Sequence, residues 1–234
     1  MSITKKTRGA GVAKERRNLA LPSAKPKKER RGRGRPKLMP DEDQALSIVH
    51  QARDLFLEKG YGRTTMEDIV VRCRISKSTL YRLFPNKTEV FGAIIDDHRQ
   101  AMLALPGDYD DLPINEALER IFQIGIDDEA NRERMALIRF VIVEARQFPE
   151  LRALLHKRGG DRSRQDLARW LKMQQAKGRI DLPDANDTAK ALMDLIFGAI
   201  VVKSETVHEW PARKERIRYL RNCISMFTRG ILPR

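Results

Sequence analysis

The chain has 234 residues, 41% of them hydrophobic and 33% charged, with a formal charge of +14 and only two cysteines. That length supports a full core, two cysteines make no disulfide framework, and no apolar run reaches a membrane span, so a disulfide scaffold and a membrane-spanning helix are excluded. The surplus of positive charge calls for an acidic partner, most simply nucleic acid or an anionic membrane surface.

Residues 1–40 hold fourteen Lys or Arg against two Glu, a balance of +12 within the chain's +14. This arm has few large apolar side chains and is expected to be disordered. Basic residues without an apolar stretch behind them are not a secretory signal, so a cytoplasmic, nucleoid-associated setting is expected. Within the arm, Arg33-Gly34-Arg35-Pro36 resembles an AT-hook. That resemblance implies Arg33 and Arg35 in the minor groove of A·T-rich DNA, where glycine removes bulk and a narrow groove concentrates negative potential. A basic tail touching phosphates without preference is the competing reading.

Helix one is expected from Asp41, with Asp41 as cap and Gln44 closing a capping box. Ala45, Ile48, Val49, Ala52, Leu55 and Phe56 make its apolar stripe, and Lys59-Gly60 ends it. Thr64 or Thr65 caps helix two, whose buried face is Met66, Ile69 and Val70. A turn at Arg74-Ile75 leads to Ser76, the cap of a third helix. Leu80 and Phe84 face inward there, leaving Lys77, Ser78, Thr79, Tyr81 and Arg82 outside. Pro85 stops it, and Asn86 to Glu89 reads as a capping box opening helix four, which runs to about Ala104. Two short helices joined by a tight turn, the second polar and basic outside, form a helix-turn-helix, a device for placing one helix in the major groove.

The segments LFLEKGYGRTTMEDI and ISKSTLYRLFPNKTEVF resemble the DNA-binding domain of the TetR family of bacterial transcriptional regulators. The shared features are Leu55-Phe56, Gly60-Tyr61, Thr64-Thr65, Ser76 to Tyr81, Phe84 and Lys87. The resemblance implies phosphate contacts from Thr65, Tyr81 and Lys87. It also implies that Lys77, Ser78, Thr79 and Arg82 meet bases or adjoining phosphates, with Arg82 suited to guanine. Cys73-Arg74 stands where the family carries Ala-Gly, and Arg74 predicts a turn that avoids positive φ.

The remaining residues read as an all-α body, giving a division into a 1–40 arm, a 41–95 DNA-binding domain and a 96–234 body. Helices are expected over Pro113 to about Glu129, over Asn131 to Phe148, and from Pro149 toward Gly178 with a kink or break at Gly159-Gly160. The second is apolar nearly all round and suits an interior. Two more are expected over 185–207 and 211–229. The stretch from Ile138 to Leu151 resembles the AefR-like branch of the same family. That implies a body that encloses a small-molecule effector and forms a homodimer through the last two helices, with Gly198 and Ala199 allowing close approach. Phe122, Arg139, Phe140, Glu144, Trp170 and Phe197 are candidate lining residues, but each reads first as ordinary core or surface and none is taken as a site.

No Gly-rich phosphate loop, nucleophile elbow or zinc spacing occurs, and His50, His98, His156 and His208 are scattered. No enzyme, cofactor or metal site is expected, and Asp96-Asp97 beside His98 reads as a solvated face. The expected function is an effector-responsive repressor on double-stranded DNA. The alternative is an architectural protein using its arm on A·T-rich DNA.

Overall fold

A computed structural model describes residues 40–201 and 213–231, with the side chains of 199–201 outside that description. The expectations for the arm, including Arg33 and Arg35, for helix beyond Val201 and for packing at Ala199 therefore lie outside the described residues. Those described are helical, as expected, with no strand among them.

The helices are α1 (Asp41–Lys59), α2 (Met66–Cys73), α3 (Lys77–Leu83), α4 (Lys87–Met102) and α5 (Ile114–Ile121). They continue as α6 (Asp128–Gln147), α7 (Pro149–Leu154), a π-helical segment (Leu155–Asp161), α8 (Arg162–Ala176), α9 (Ala185–Val201) and α10 (Arg213–Ile231). Two apolar clusters hold them. One packs Ile48, Leu55 and Phe56 of α1 with Ile69, Leu80 and Phe91, and takes in Leu137, Val141 and Ala145 from α6. The other joins α5, α8, α9 and α10 through Ile121, Phe122, Leu167, Trp170, Leu192 and Ile224.

Local chemistry corrects several expectations. Pro40, not Asp41, is the N-cap of α1, and no side chain caps that end. The Asp41 carboxylate instead accepts from Arg82 at 2.7 Å. Asn86 caps α4 by accepting from the Glu89 N–H at 2.9 Å. Glu89 closes no box, because its carboxylate accepts from Arg158 at 2.7 Å. The helix expected over Pro113–Glu129 ends at Ile121. Gln123 turns to φ 49°, and its amide donates to the carbonyls of Gln100 and Ala101 at 2.7 and 3.1 Å, near the end of α4. Asp127 then caps α6 by accepting from the Ala130 N–H at 2.8 Å.

Helix α6 is not wholly interior. Met135, Leu137, Val141 and Ala145 are buried, whereas Val143 is 56% exposed. Gly159-Gly160 makes no break: the chain stays helical through the π segment, whose wider turn absorbs an extra residue. That segment sends Arg158 back to Glu89 and Asp96 of α4.

The turn between α2 and α3 departs most from expectation. Arg74 adopts φ 53°, ψ 42°, the left-handed conformation. The Arg74 and Ile75 N–H groups bond the carbonyls of Val71 and Val70, each at 3.2 Å. This is the Schellman closure that glycine usually completes. Two carbonyls gain donors, and the backbone tolerates a Cβ in a region that disfavours one. Replacing Arg74 with Gly should stabilise the protein by about 1 kcal/mol in chemical denaturation, and Arg74→Val should destabilise it.

One buried ion pair fixes α4 to α8. Arg99 donates to Asp166, and the two side chains are 8% and 9% exposed. Removing one partner leaves a buried charge, so Asp166→Ala should cost about 3–5 kcal/mol, and Arg99→Met with Asp166→Leu far less. Denaturant midpoints of the single and double variants check this.

Candidate nucleic-acid interface

The reader unit is built from its caps. Thr65 accepts from the Asp68 N–H at 3.1 Å while Asp68 accepts from the Thr65 N–H at 2.8 Å, a full capping box at the start of α2. The same carboxylate accepts the Thr65 hydroxyl at 2.8 Å and the Lys59 ammonium at 2.9 Å. These bonds hold the Asp68 carboxyl well below the usual carboxylate range, the Thr65 N–H contributing most. Thr64, the other expected cap, is buried and donates its hydroxyl to the Gly60 carbonyl at 2.8 Å.

Ser76 caps α3, accepting from the Thr79 N–H at 3.1 Å. Its hydroxyl also meets those of Ser78 and Thr79 at 2.8 Å each, so the first turn of α3 carries a hydroxyl cluster. A seven-residue helix is marginal alone. Leu80 at 0% and Phe84 at 7% exposure anchor it to the core. Lys77, Ser78, Tyr81 and Arg82 are exposed and Thr79 is half-buried. The expected inward and outward faces are therefore those of the structure.

Two exposed cations of α3, Lys77 and Arg82, are paired. Lys77 donates to Glu67 of α2 at 2.8 Å, and Arg82 to Asp41 of α1 at 2.7 Å. Each carboxylate raises the pKa of its partner, and both pairs lie in solvent. Screened contacts of this kind are weak enough for a polyanion to displace. Arg82 thus stands beside the first residue of α1, a proximity that sequence spacing does not reveal.

Lys87 sits differently from a simple surface contact. Its ammonium donates to the carbonyls of Tyr61 and Thr64, both at 2.8 Å. It also lies 4.3 Å from the centre of the Tyr61 ring, a cation–π contact. Burial lowers its pKa. Two of its three donors therefore tie the α1–α2 loop to α4.

Tyr61 is the hub behind this interface. Its ring packs against Phe56, Phe91 and Phe148 with centroids 5.5, 5.3 and 5.2 Å away. A Cβ on Gly62 would lie 2.7 Å from the Phe148 ring, so glycine lets the end of α6 seat on the loop. The candidate lining residues of the body scatter by comparison. Phe122 and Phe197 stack edge to face at 5.6 Å, Phe140 joins the hub beside Phe91, and Arg139 is exposed. His98, Asp96 and Asp97 do not converge. Asp97 faces His50 at 3.5 Å, Asp96 faces Arg158, and burial lowers the His98 pKa to about 4.

Comparison with known proteins places this arrangement. The profile of bacterial regulatory proteins of the tetR family matches residues 48–94, and that of the AefR-like transcriptional repressor C-terminal domain matches residues 116–230. An HTH-type transcriptional regulator of Mycobacterium tuberculosis is 31% identical over 166 residues, 70% of this chain and 76% of that protein. The HTH-type transcriptional regulator UidR of Escherichia coli is 29% identical over 157 residues, 65% of this chain and 78% of that one. In fold, the chain is similar to a TetR-family regulator of Mesorhizobium loti, with a TM-score of 0.62 at 20% identity over 83% of this chain and 100% of that one. It is similar to GusR of Salmonella enterica as well, with a TM-score of 0.60 at 23% identity over 82% and 99%. The helix-turn-helix on its capped, aromatic-backed frame and the helical body after it are those of a DNA-binding transcriptional regulator, and the chain belongs to the TetR family with an AefR-like C-terminal domain.

Proposed function

We propose that the chain acts as a homodimeric repressor that lays α3 in the major groove of two operator half-sites and leaves DNA when a small molecule binds the helical body. The observation that carries this is the outer face of α3, where Lys77, Ser78, Tyr81 and Arg82 stand exposed over a helix anchored from beneath by Leu80 and Phe84. Arg82 reads guanine, and Lys77, Ser78 and Thr79 meet bases or adjoining phosphates. Thr65, Tyr81 and the third donor of Lys87 hold phosphates and fix register. Arg33 and Arg35 add minor-groove contact and a salt-dependent share of the affinity. The carboxylates of Glu67 and Asp41 give up their cations to DNA on binding.

A dimer is needed to place two readers about 34–36 Å apart, or a multiple of that. Tyr219 and Met226 of α10 support one: they are 44% and 65% exposed and lie two turns apart on one side of the helix. The solved regulator described as flavonoid-responsive, similar in fold at a TM-score of 0.60, supports a small-molecule effector. Both family domains support operator-specific regulation over broad architectural binding or enzyme chemistry. Among the described residues no helix is long and apolar enough to cross a membrane.

Selection of genomic fragments by the purified protein supplies the operator. On it, Arg82→Ala should lower discrimination at one base by about 1–3 kcal/mol, whereas Tyr81→Phe should weaken all sequences alike. Uniform weakening by both rejects Arg82 as a reader. Deleting residues 1–39 should flatten the salt dependence by about 0.9 in log–log slope for each phosphate that the arm neutralises, with operator choice kept. Tyr219→Asp with Met226→Asp should give a monomer by sedimentation and abolish operator binding at concentrations where the parent is saturated.

A further inference from the structure

Arginine does not lose its proton in proteins, so a buried guanidinium requires a counter-charge or a full set of acceptors. Arg134 of α6 is only 5% exposed. Its Nη2 donates to Asn131 at 3.2 Å, but its Nε and Nη1 are buried without a partner. Among the described residues no carboxylate pairs with it. Arg216 of α10, whose charge acts on Arg134, is 3% exposed and already engaged with Asp128 at 3.3 Å and the Ile126 carbonyl at 2.6 Å. On the α4 side His98 presents another buried and unpartnered atom, Nε2.

These groups act on one another. After burial, the Arg134 and Arg53 charges help hold His98 neutral, and the Arg216 charge adds to burial in lowering the Arg134 pKa. Asp128 balances Arg216, Asp127 faces Arg213 and Asp54 pairs with Arg53, so with His98 neutral the Arg134 charge is left over among the described residues. A monoanion balances it, whereas a phosphate dianion would leave a buried negative charge instead.

We propose that the junction of α4, α6 and α10 binds a small organic carboxylate, whose anionic group accepts a hydrogen bond from the unpaired Arg134 guanidinium and meets His98 Nε2. The inference rests on the reading of the body as an effector domain and names its effector class. It gives the ligand unequal affinity for two arrangements of these helices, which any effector needs. Helix α4 begins at the Lys87 tether, so a ligand gripping α4 at His98 acts on the helix that carries the reader's loop.

The test uses the full chain with hexanoate and benzoate against hexanamide and benzamide, which keep the shape and lose the charge. The carboxylates should raise the melting temperature by about 3 °C or more when well above their Kd, and the amides should not. Arg134→Met and Arg134→Gln should melt no lower than the parent and lose the response. Amides as effective as the acids, no shift with either acid, or a full response in both variants would overturn the site. Release of a selected DNA fragment is measured in parallel. A melting shift without release keeps the carboxylate site and rejects its effector role, while no shift rejects the site and leaves DNA binding standing.

Discussion

The Lys87 ammonium, bound to two loop carbonyls and set over the Tyr61 ring, is the contact on which the reader's geometry depends. It joins the start of α4 to the loop between α1 and α2. Behind it, Tyr61 packs on Phe56, Phe91 and Phe148, so three helices and the loop meet at one ring. Charged donors on carbonyls are stronger than neutral ones, and partial burial strengthens them further. The loop is thus fixed relative to α4, and α2 begins two residues after that loop's second bonded carbonyl.

This arrangement also explains why the apolar cluster of the reader extends into the body. Leu137, Val141 and Ala145 of α6 complete the packing around α1 and α4. Gly62 lets Phe148 approach the loop from the same side. A movement of α6 or α4 therefore cannot leave the reader unaffected, because close-packed contacts shift together rather than stretch. The Arg99–Asp166 pair and the reach of Arg158 to Glu89 and Asp96 carry the same coupling to α8 and the π segment.

Charge is arranged on two scales. The arm carries nearly all of the chain's net charge, while the body is close to neutral overall. Within the reader, Lys77 and Arg82 pair with Glu67 and Asp41 in solvent. Within the body, Arg134 has no counter-charge among the described residues.

The amino-acid order alone determined the helical class, the reader and its inward and outward faces. These follow from the apolar periods of α1 and α3, from the caps Ser76 and Asn86, from the Thr64-Thr65 pair that opens α2, and from Pro85, all of which act over four residues or fewer. The same local logic misplaced Asp41 as a cap and missed the left-handed Arg74, because Arg82 lies forty-one residues from Asp41 and the Schellman closure outweighs the backbone preference. It also ran one helix past Ile121, where Gln123 turns aside to satisfy the end of α4. Only the tertiary structure decided that Lys87 is a tether, that Phe148 reaches the reader and that Arg134 is buried unpaired. Such facts depend on which distant groups meet and on the water they exclude, and neither quantity is carried by spacing along a chain.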